Sequence, residues 1–144
     1  MMYGYRVDVF FYGSYINFSV LREAGIEERH YEPARLPGYQ LVIEPLANLV
    51  HDSGSQAFGI LTSLSHRELE DLYTGHALKK LGGLYLPEAV LVFTNDNAMH
   101  PALTYISHEM EAAKADSDYV GRIFQPAREY GFPPEYLEHI ESFR

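Results

Sequence analysis

The chain has 144 residues, of which 47% are apolar and 14% aromatic, and its formal net charge is −9. This length suits a single domain over residues 1–144 with a core that needs no disulfide or metal. The absence of cysteine excludes disulfides, thiolate metal sites and a cysteine nucleophile. The negative charge argues against a nucleic-acid partner, because Lys and Arg bind phosphates. We see no signal peptide and no apolar run of the roughly 20 residues that span a membrane, and we expect a cytoplasmic protein.

The first half of the chain predicts strands separated by short turns. Residues 6–12 are rich in Val and Phe, which predicts a buried strand. A short helix is predicted over 18–24, before a glycine. Two further strands are predicted over 35–44 and 56–64, and the Asp-Ser-Gly-Ser sequence between them predicts a turn over 51–55.

The second half predicts helices and strands in alternation. Ser65 and Glu68 have the spacing of a capping box, which starts a helix that we expect to end at Gly75. Pro126 should kink a later helix. The predicted strands cover 84–93 and 102–106, and the predicted helices cover 65–75, 116–130 and 134–143. Together these elements favour an α+β fold, with a small, mostly antiparallel β-barrel or rolled sheet and peripheral helices.

The turn that follows the first strand is the strongest functional signal. The apolar run ends in Tyr-Gly-Ser at 12–14 and passes directly into a helical pattern. Such a turn presents unsatisfied backbone N–H groups at a helix N-terminus, where negative charge is favoured. The pattern therefore predicts an anion site at this turn.

Five motifs in this chain resemble the gamma-glutamylcyclotransferase-like (AIG2-like) family. Tyr-Gly-Ser-Tyr-Ile-Asn at 12–17 is similar to the family's Tyr-Gly-Ser-Asn-Met-Asn, with Tyr15 in place of the first Asn. The other motifs lie at 36–39, 47–54, 58–61 and 131–136. They occur in the family's order over nearly the whole chain, so the resemblance implies the family's fold.

The resemblance also implies a reaction within one substrate molecule. In the family, the α-amine of a γ-glutamyl group attacks the side-chain carbonyl of the same group, 5-oxoproline forms and the attached amine leaves. This reaction needs a clamp on the glutamyl carboxylate, which keeps the substrate folded, and an acid–base group. The resemblance implies that Tyr119 lines the pocket, and it gives no reason to invoke a metal or an organic cofactor. The residues implied to hold the carboxylate of this small-molecule ligand are Tyr12, Gly13, Ser14, Tyr15 and Ile16.

The residue that the family uses as its acid–base group is replaced in this chain. The family places a Glu within Leu-Asp-x-x-Glu-Gly, and the matching segment at 70–75 has Thr74 at that position. A threonine hydroxyl does not exchange a proton near neutral pH, and a positioned acid–base group contributes roughly 10²–10⁴ in rate. The standard activity should therefore be largely lost unless another residue takes this role.

Two titratable residues are candidates for that role. His76 follows Thr74 by two residues and titrates in the right range. Glu88 lies among apolar neighbours on the next predicted strand, where its pKa could be raised. A solvent-exposed position is the ordinary alternative for both, and an alignment shifted along the helix would make Glu68 or Glu70 the acid.

Two functions therefore remain open. The first is an enzyme of this family with altered chemistry, acting on a γ-glutamyl or related amino-acid-like amide. The second is a non-catalytic binding or regulatory protein that keeps the pocket. A titratable group such as His76 or Glu88 pointing at the Tyr-Gly-Ser turn favours the enzyme, and a pocket without titratable groups favours the binding protein. The sequence leaves the oligomeric state open between monomer and homodimer.

Overall fold

Strands rich in β-branched and aromatic residues form the central sheet of the fold. The computed structural model describes residues 5–144, and within them the strands are β1 (Arg6–Phe11), β2 (Tyr31–Ile43), β3 (Ala47–Ser65), β4 (Leu86–Thr94) and β5 (Met99–Ile106). Four neighbouring pairs are antiparallel and β1 pairs with β5 in parallel, so the order β1-β3-β2-β4-β5 closes into a barrel. The predicted α+β fold, a mostly antiparallel barrel with peripheral helices, is confirmed.

Helices surround this barrel. They are a 3₁₀ helix (Ser14–Ile16), α1 (Phe18–Glu23), α2 (His66–Glu70), a π-helical segment (Asp71–Leu81), α3 (Ser117–Glu129) and α4 (Pro134–Glu141). Apolar side chains from strands and helices form one buried cluster, whose fully buried members include Phe10, Ile16, Leu41, Ile60, Leu72, Ile123 and Ile140. No helix within residues 5–144 has the length and apolar character needed to cross a membrane.

The predicted turn over 51–55 is wrong, because these residues belong to β3. The register of the β2–β3 pair shifts between Pro37 and Tyr39, so that residues 52–55 bulge opposite Gly38. Within the bulge, the Asp52 carboxylate accepts the N–H of Gly54 at 3.2 Å and the hydroxyl of Ser55 at 2.7 Å. The local hydrogen bonds of a turn are therefore present, but the long ladder continues on both sides of them.

The capping box at Ser65 and Glu68 is confirmed, with both of its hydrogen bonds formed. The predicted helix end at Gly75 is wrong. The helix instead continues as the π-helical segment and ends before Gly82, which has a φ of 78°. Gly75 costs helical stability but does not terminate a helix, whereas the left-handed backbone at Gly82 does.

Asn17 ties two helices together beside the Tyr-Gly-Ser turn. Its Oδ1 accepts the N–H of Ser19 at 2.9 Å and so caps α1. Its Nδ2 donates to the carbonyl of Arg122 at 3.1 Å. That carbonyl lies four residues before Pro126, which has no N–H to offer it. Asn17 therefore satisfies the carbonyl that the proline leaves without its helical partner, and α3 continues through Pro126.

Candidate active site

The turn after β1 leaves three backbone donors unused. The N–H groups of Ile16 and Asn17 close the 3₁₀ helix, whereas those of Gly13, Ser14 and Tyr15 form no backbone hydrogen bond within residues 5–144. A Cβ on Gly13 would lie 2.6 Å from the Cβ of Ala47, so glycine allows the turn to pack against the start of β3. The predicted donor turn is therefore held tightly in place.

A small cavity lies against this turn. The volume of this cavity is about 30 Å³, well below the roughly 300–1,000 Å³ of small-ligand sites, so its lining side chains must move apart to admit a ligand larger than water. The lining consists of the turn residues Tyr12, Gly13, Ser14 and Tyr15 with Phe11, Ala47, Tyr73, Ala77, Leu81, Tyr85, Tyr105 and Tyr119. Six of these twelve residues are tyrosines, and none of them is an acid, a base or a histidine.

Hydrogen bonds hold several of these tyrosines in fixed positions. The Tyr85 hydroxyl donates to the carbonyl of Ala47 at 2.6 Å, and the Ala47 N–H donates to the Tyr119 hydroxyl at 3.0 Å. The Tyr12 hydroxyl donates to the carbonyl of Tyr105. Both polar backbone groups of Ala47 are thus bound by lining tyrosines, which keeps that wall of the cavity rigid.

Tyr73 presents a free hydroxyl to the cavity. Its ring stacks on that of Tyr105 at a centroid distance of 3.7 Å and an angle of 8°. Within residues 5–144 the Tyr73 hydroxyl has no hydrogen-bond partner. Every fully enclosed side-chain oxygen or nitrogen in these residues has one, so the Tyr73 hydroxyl is not fully enclosed. The Tyr73 hydroxyl therefore has access to the cavity space, where it can donate to or accept from a ligand.

The lining tyrosines are neutral near pH 7. Burial is the largest cause that raises the pKa values of all six, Tyr12, Tyr15, Tyr73, Tyr85, Tyr105 and Tyr119. For Tyr119, hydrogen bonds with Ala47 and Ser14 lower the pKa but do not offset burial. The lining thus supplies hydrogen bonds and aromatic surface but no charge.

His76 reaches the cavity through Tyr15. The Tyr15 hydroxyl lies 2.9 Å from His76 Nδ1, and the two rings are 5.7 Å apart. Burial lowers the pKa of His76, with a further lowering by Lys80 and an opposing effect of Glu23. In the tautomer protonated at Nε2, the neutral imidazole accepts at Nδ1 and the phenol donates to it.

The structure does not bring Thr74 or Glu88 to the cavity lining. Thr74 is exposed, and its hydroxyl donates to the carbonyl of Glu70. Glu88 accepts the Tyr39 hydroxyl at 2.6 Å and lies 3.8 Å from His51 Nε2.

The other predicted ligand-binding residues divide into two groups. Tyr12, Gly13, Ser14, Tyr15 and Tyr119 line the cavity, whereas Ile16 is fully buried and outside the lining. The carbonyl of Ile16 accepts the hydroxyl of Tyr130 at 2.7 Å, so this residue supports the turn from behind.

Sequence reasoning missed Tyr73, Tyr85 and Tyr105. The twelve tyrosines of the chain were a signal for such a pocket, but they did not show which of them meet. A second signal was the spacing of four between Tyr73, Ala77 and Leu81, which places these three on one side of the wide π-helical turn. No group of three or more His, Cys, Asp or Glu within residues 5–144 is arranged to hold a metal ion.

Comparison with known proteins gives one family and several similar folds. The sequence model of the family described as gamma-glutamyl cyclotransferase, AIG2-like, matches residues 9–122. A solved structure of a gamma-glutamyl cyclotransferase has a TM-score of 0.79 and 20% identity, over 97% of this chain and 89% of that one. No curated protein sequence gives a significant match.

Two further solved structures have similar folds. YkqA from Bacillus subtilis has a TM-score of 0.76 and 24% identity, over 95% of this chain and 53% of that one. A yeast gamma-glutamyl cyclotransferase specific to glutathione has a TM-score of 0.61 and 11% identity, over 96% of this chain and 95% of that one. At these identities the structural likeness shows the fold alone.

Proposed function

This chain belongs to the gamma-glutamyl cyclotransferase, AIG2-like family, and from that premise we propose that its tyrosine-lined cavity binds a small γ-glutamyl amide and cyclises the γ-glutamyl group to 5-oxoproline. One observation carries the proposal. The unused N–H groups of Gly13, Ser14 and Tyr15 lie at a small cavity whose lining has no charged residue.

The three N–H groups are the natural partners of the glutamyl carboxylate. Clustered backbone N–H groups in a turn form a concave site for an anion, and the neutral phenols around them add hydrogen bonds without a competing negative charge. The Tyr119 hydroxyl already accepts from Ala47, so its own proton remains available to the ligand. The free Tyr73 hydroxyl is then available to the scissile amide oxygen.

The reaction follows from holding the substrate folded. The α-amine nitrogen attacks the γ-carbonyl carbon, a C–N bond of the five-membered ring forms, and the original amide C–N bond breaks. One proton leaves the attacking nitrogen and one is delivered to the departing amine. Fixing both ends of the γ-glutamyl group makes the attack effectively unimolecular, and a phenol on the carbonyl oxygen stabilises its developing charge.

Release of 5-oxoproline from a panel of γ-glutamyl amino acids and γ-glutamyl amines tests this proposal. We expect turnover of at least one compound, and a loss of roughly tenfold in kcat/KM for Tyr119→Phe, which removes a hydrogen bond to a charged ligand. Tyr39→Phe is the matched control, because Tyr39 bonds Glu88 outside the cavity. Failure of every γ-glutamyl compound and of 5-oxoproline to bind, measured by calorimetry, overturns the proposal.

A non-catalytic binding protein is the second candidate function. The observation that favours it is that no residue of the lining titrates near pH 7, because all six tyrosines have raised pKa values. Such a protein would bind 5-oxoproline or a γ-glutamyl compound and release no amine from it. Measuring binding and turnover on the same preparation separates the two functions.

The cytoplasmic location also stays a proposal. The chain contains no cysteine, so its fold needs no oxidising compartment. Fractionation of cells that produce the untagged protein tests it, and recovery in a secreted or membrane fraction would contradict it.

A further inference from the structure

We propose that Tyr15 and His76 form a proton relay that serves the cyclisation, with Tyr15 in contact with the reacting nitrogen atoms and His76 acting through it. This inference rests on the proposed function. It assigns a route for the proton in a cavity whose lining has no acid or histidine of its own.

The position of the Tyr15 ring is fixed by its neighbours. It packs edge-on against Phe11 at 5.7 Å and against Tyr73 at 5.6 Å, and only 6% of it is exposed. Its hydroxyl has two acceptors within reach among residues 5–144, namely His76 Nδ1 at 2.9 Å and the Leu72 carbonyl at 3.5 Å. The shorter bond directs the phenol proton to His76 and leaves the oxygen lone pairs for a ligand.

His76 is placed to act as the base behind this phenol. It lies half-buried on the π-helical segment. The groups that bear on it are Glu23 from α1, Lys80 from its own segment and Tyr15 from the turn. Burial and Lys80 lower the pKa of His76 more than Glu23 raises it, so the ring is neutral at pH 7, and the relay uses the tautomer that is protonated at Nε2 and accepts at Nδ1.

The relay balances without an external acid or base. After the attack, the former α-amine gives its extra proton to the Tyr15 oxygen as the phenol proton passes to His76 Nδ1. As the amide C–N bond breaks, Tyr15 passes the proton that it received to the departing amine, and His76 returns the original phenol proton to Tyr15. The raised pKa of Tyr15 opposes a free phenolate, and this concerted exchange never forms one.

A Tyr–His pair outside the cavity supplies matched controls. Tyr39 and His51 lie with their rings 4.6 Å apart on β2 and β3, and neither lines the cavity. The test compares Tyr15→Phe and His76→Asn with Tyr39→Phe and His51→Asn. Asparagine is chosen because its side-chain oxygen can accept where Nδ1 does, but it does not titrate.

We expect kcat to fall by roughly 10²–10⁴ in both relay variants and to stay within about twofold in both controls, while 5-oxoproline binds all four variants with similar affinity. The kcat of the unmodified chain should fall at a pH below the ordinary histidine pKa of 6.5, because burial lowers the pKa of His76 and a protonated His76 cannot accept. This acidic limb should be absent from His76→Asn. NMR titration should show a higher His76 pKa in Tyr15→Phe, because the phenol donates only to the neutral ring.

Three results would overturn the relay. One is an unchanged kcat and acidic limb in His76→Asn. Another is an unchanged His76 titration in Tyr15→Phe. In the last, the unmodified chain binds 5-oxoproline but turns over no γ-glutamyl compound. That result overturns the relay and still supports the binding site. A lack of binding in the unmodified chain overturns the proposed function together with the relay.

Discussion

Glu68 links the start of α2 to an arginine from a distant part of the chain. Its carboxylate accepts the N–H of Ser65 at 2.9 Å and both terminal nitrogens of Arg29, at 2.9 and 2.7 Å. The hydrogen bond from Arg29 is the main cause that lowers the pKa of Glu68, from its ordinary 4.5 to about 2. The bidentate geometry makes this pair stronger than an ordinary surface ion pair.

This pKa shift predicts a defined pH dependence of stability. The contribution of Glu68 is complete above pH 4.5 and is lost as the pH falls to about 2. Glu68→Gln should lower the free energy of unfolding at pH 7 by about 1–2 kcal/mol, a value reduced for solvent screening, and should flatten the dependence between these pH values. Urea unfolding from pH 2 to 7 measures both effects. The exposed Glu70 gives the control Glu70→Gln, and equal slopes in the two variants would contradict the prediction.

Thr74 provides a second prediction at the scale of single residues. Because its side chain is exposed and bonds Glu70, a glutamate at this position would point into solvent and not into the cavity. Thr74→Glu should therefore change the rate of 5-oxoproline release by less than about twofold. A gain within the range of roughly 10²–10⁴ that a positioned acid–base group contributes would show that the side chain can turn inward.

At the scale of elements, the π-helical segment decides the shape of the cavity. Its wide turn places Tyr73, Ala77 and Leu81 along the cavity wall and brings His76 to Tyr15. A segment that ended at Gly75 would leave Ala77 and Leu81 without this placement. The same segment therefore shapes the cavity wall and the candidate relay.

Gly75 gives a test of this segment. A Cβ at Gly75 would meet no atom within 4 Å, and its backbone φ is not positive. Gly75→Ala should raise the free energy of unfolding by about 0.5–1 kcal/mol, because alanine reduces the conformational freedom of the unfolded chain. Gly82→Ala is the contrasting variant and should lower it by about 1–2 kcal/mol, since φ is 78° there. Thermal unfolding of both variants checks the difference, and a destabilised Gly75→Ala would contradict the helical assignment.

At the scale of the whole molecule, barrel closure depends on a narrow contact between β1 and β5. Their parallel pairing has one register pair, Val9 with Leu103. The buried Thr104 hydroxyl donates to the carbonyl of Phe10 at 3.0 Å beside it. This contact joins the first and last strands of the barrel. It also positions the end of β1, where Phe11 lines the cavity.

Thr104→Val should therefore destabilise the protein by about 1–2 kcal/mol, because a buried hydrogen bond is lost while the shape of the side chain is kept. Thr104→Ser keeps the hydroxyl, but the loss of a methyl group adds a packing cost. Hydrogen exchange at the β1 and β5 amides should increase more in Thr104→Val than in Thr104→Ser. Equal exchange in the two variants would show that packing, and not the hydroxyl, closes the barrel.

Local chemistry was sufficient to predict several features of the fold and the site. The capping box needs only Ser65 and Glu68 at their spacing, and the strand before the turn follows from a run of Val and Phe. The bulge at 52–55 shows where local chemistry misleads. Its turn-like hydrogen bonds form, but a ladder with β2 keeps these residues in a strand.

The sequence by itself determined the family, the strand-rich barrel and the glycine turn with its backbone N–H donors. These follow from motifs and patterns that lie within short segments. The tertiary structure alone decided that Tyr73 stacks on Tyr105, that Tyr15 meets His76 across 61 residues, and that Thr74 faces solvent. These contacts depend on barrel closure and on the phase of a π-helical turn. Barrel closure and the phase of this turn arise from packing between distant segments, so residue spacing along the chain does not predict them.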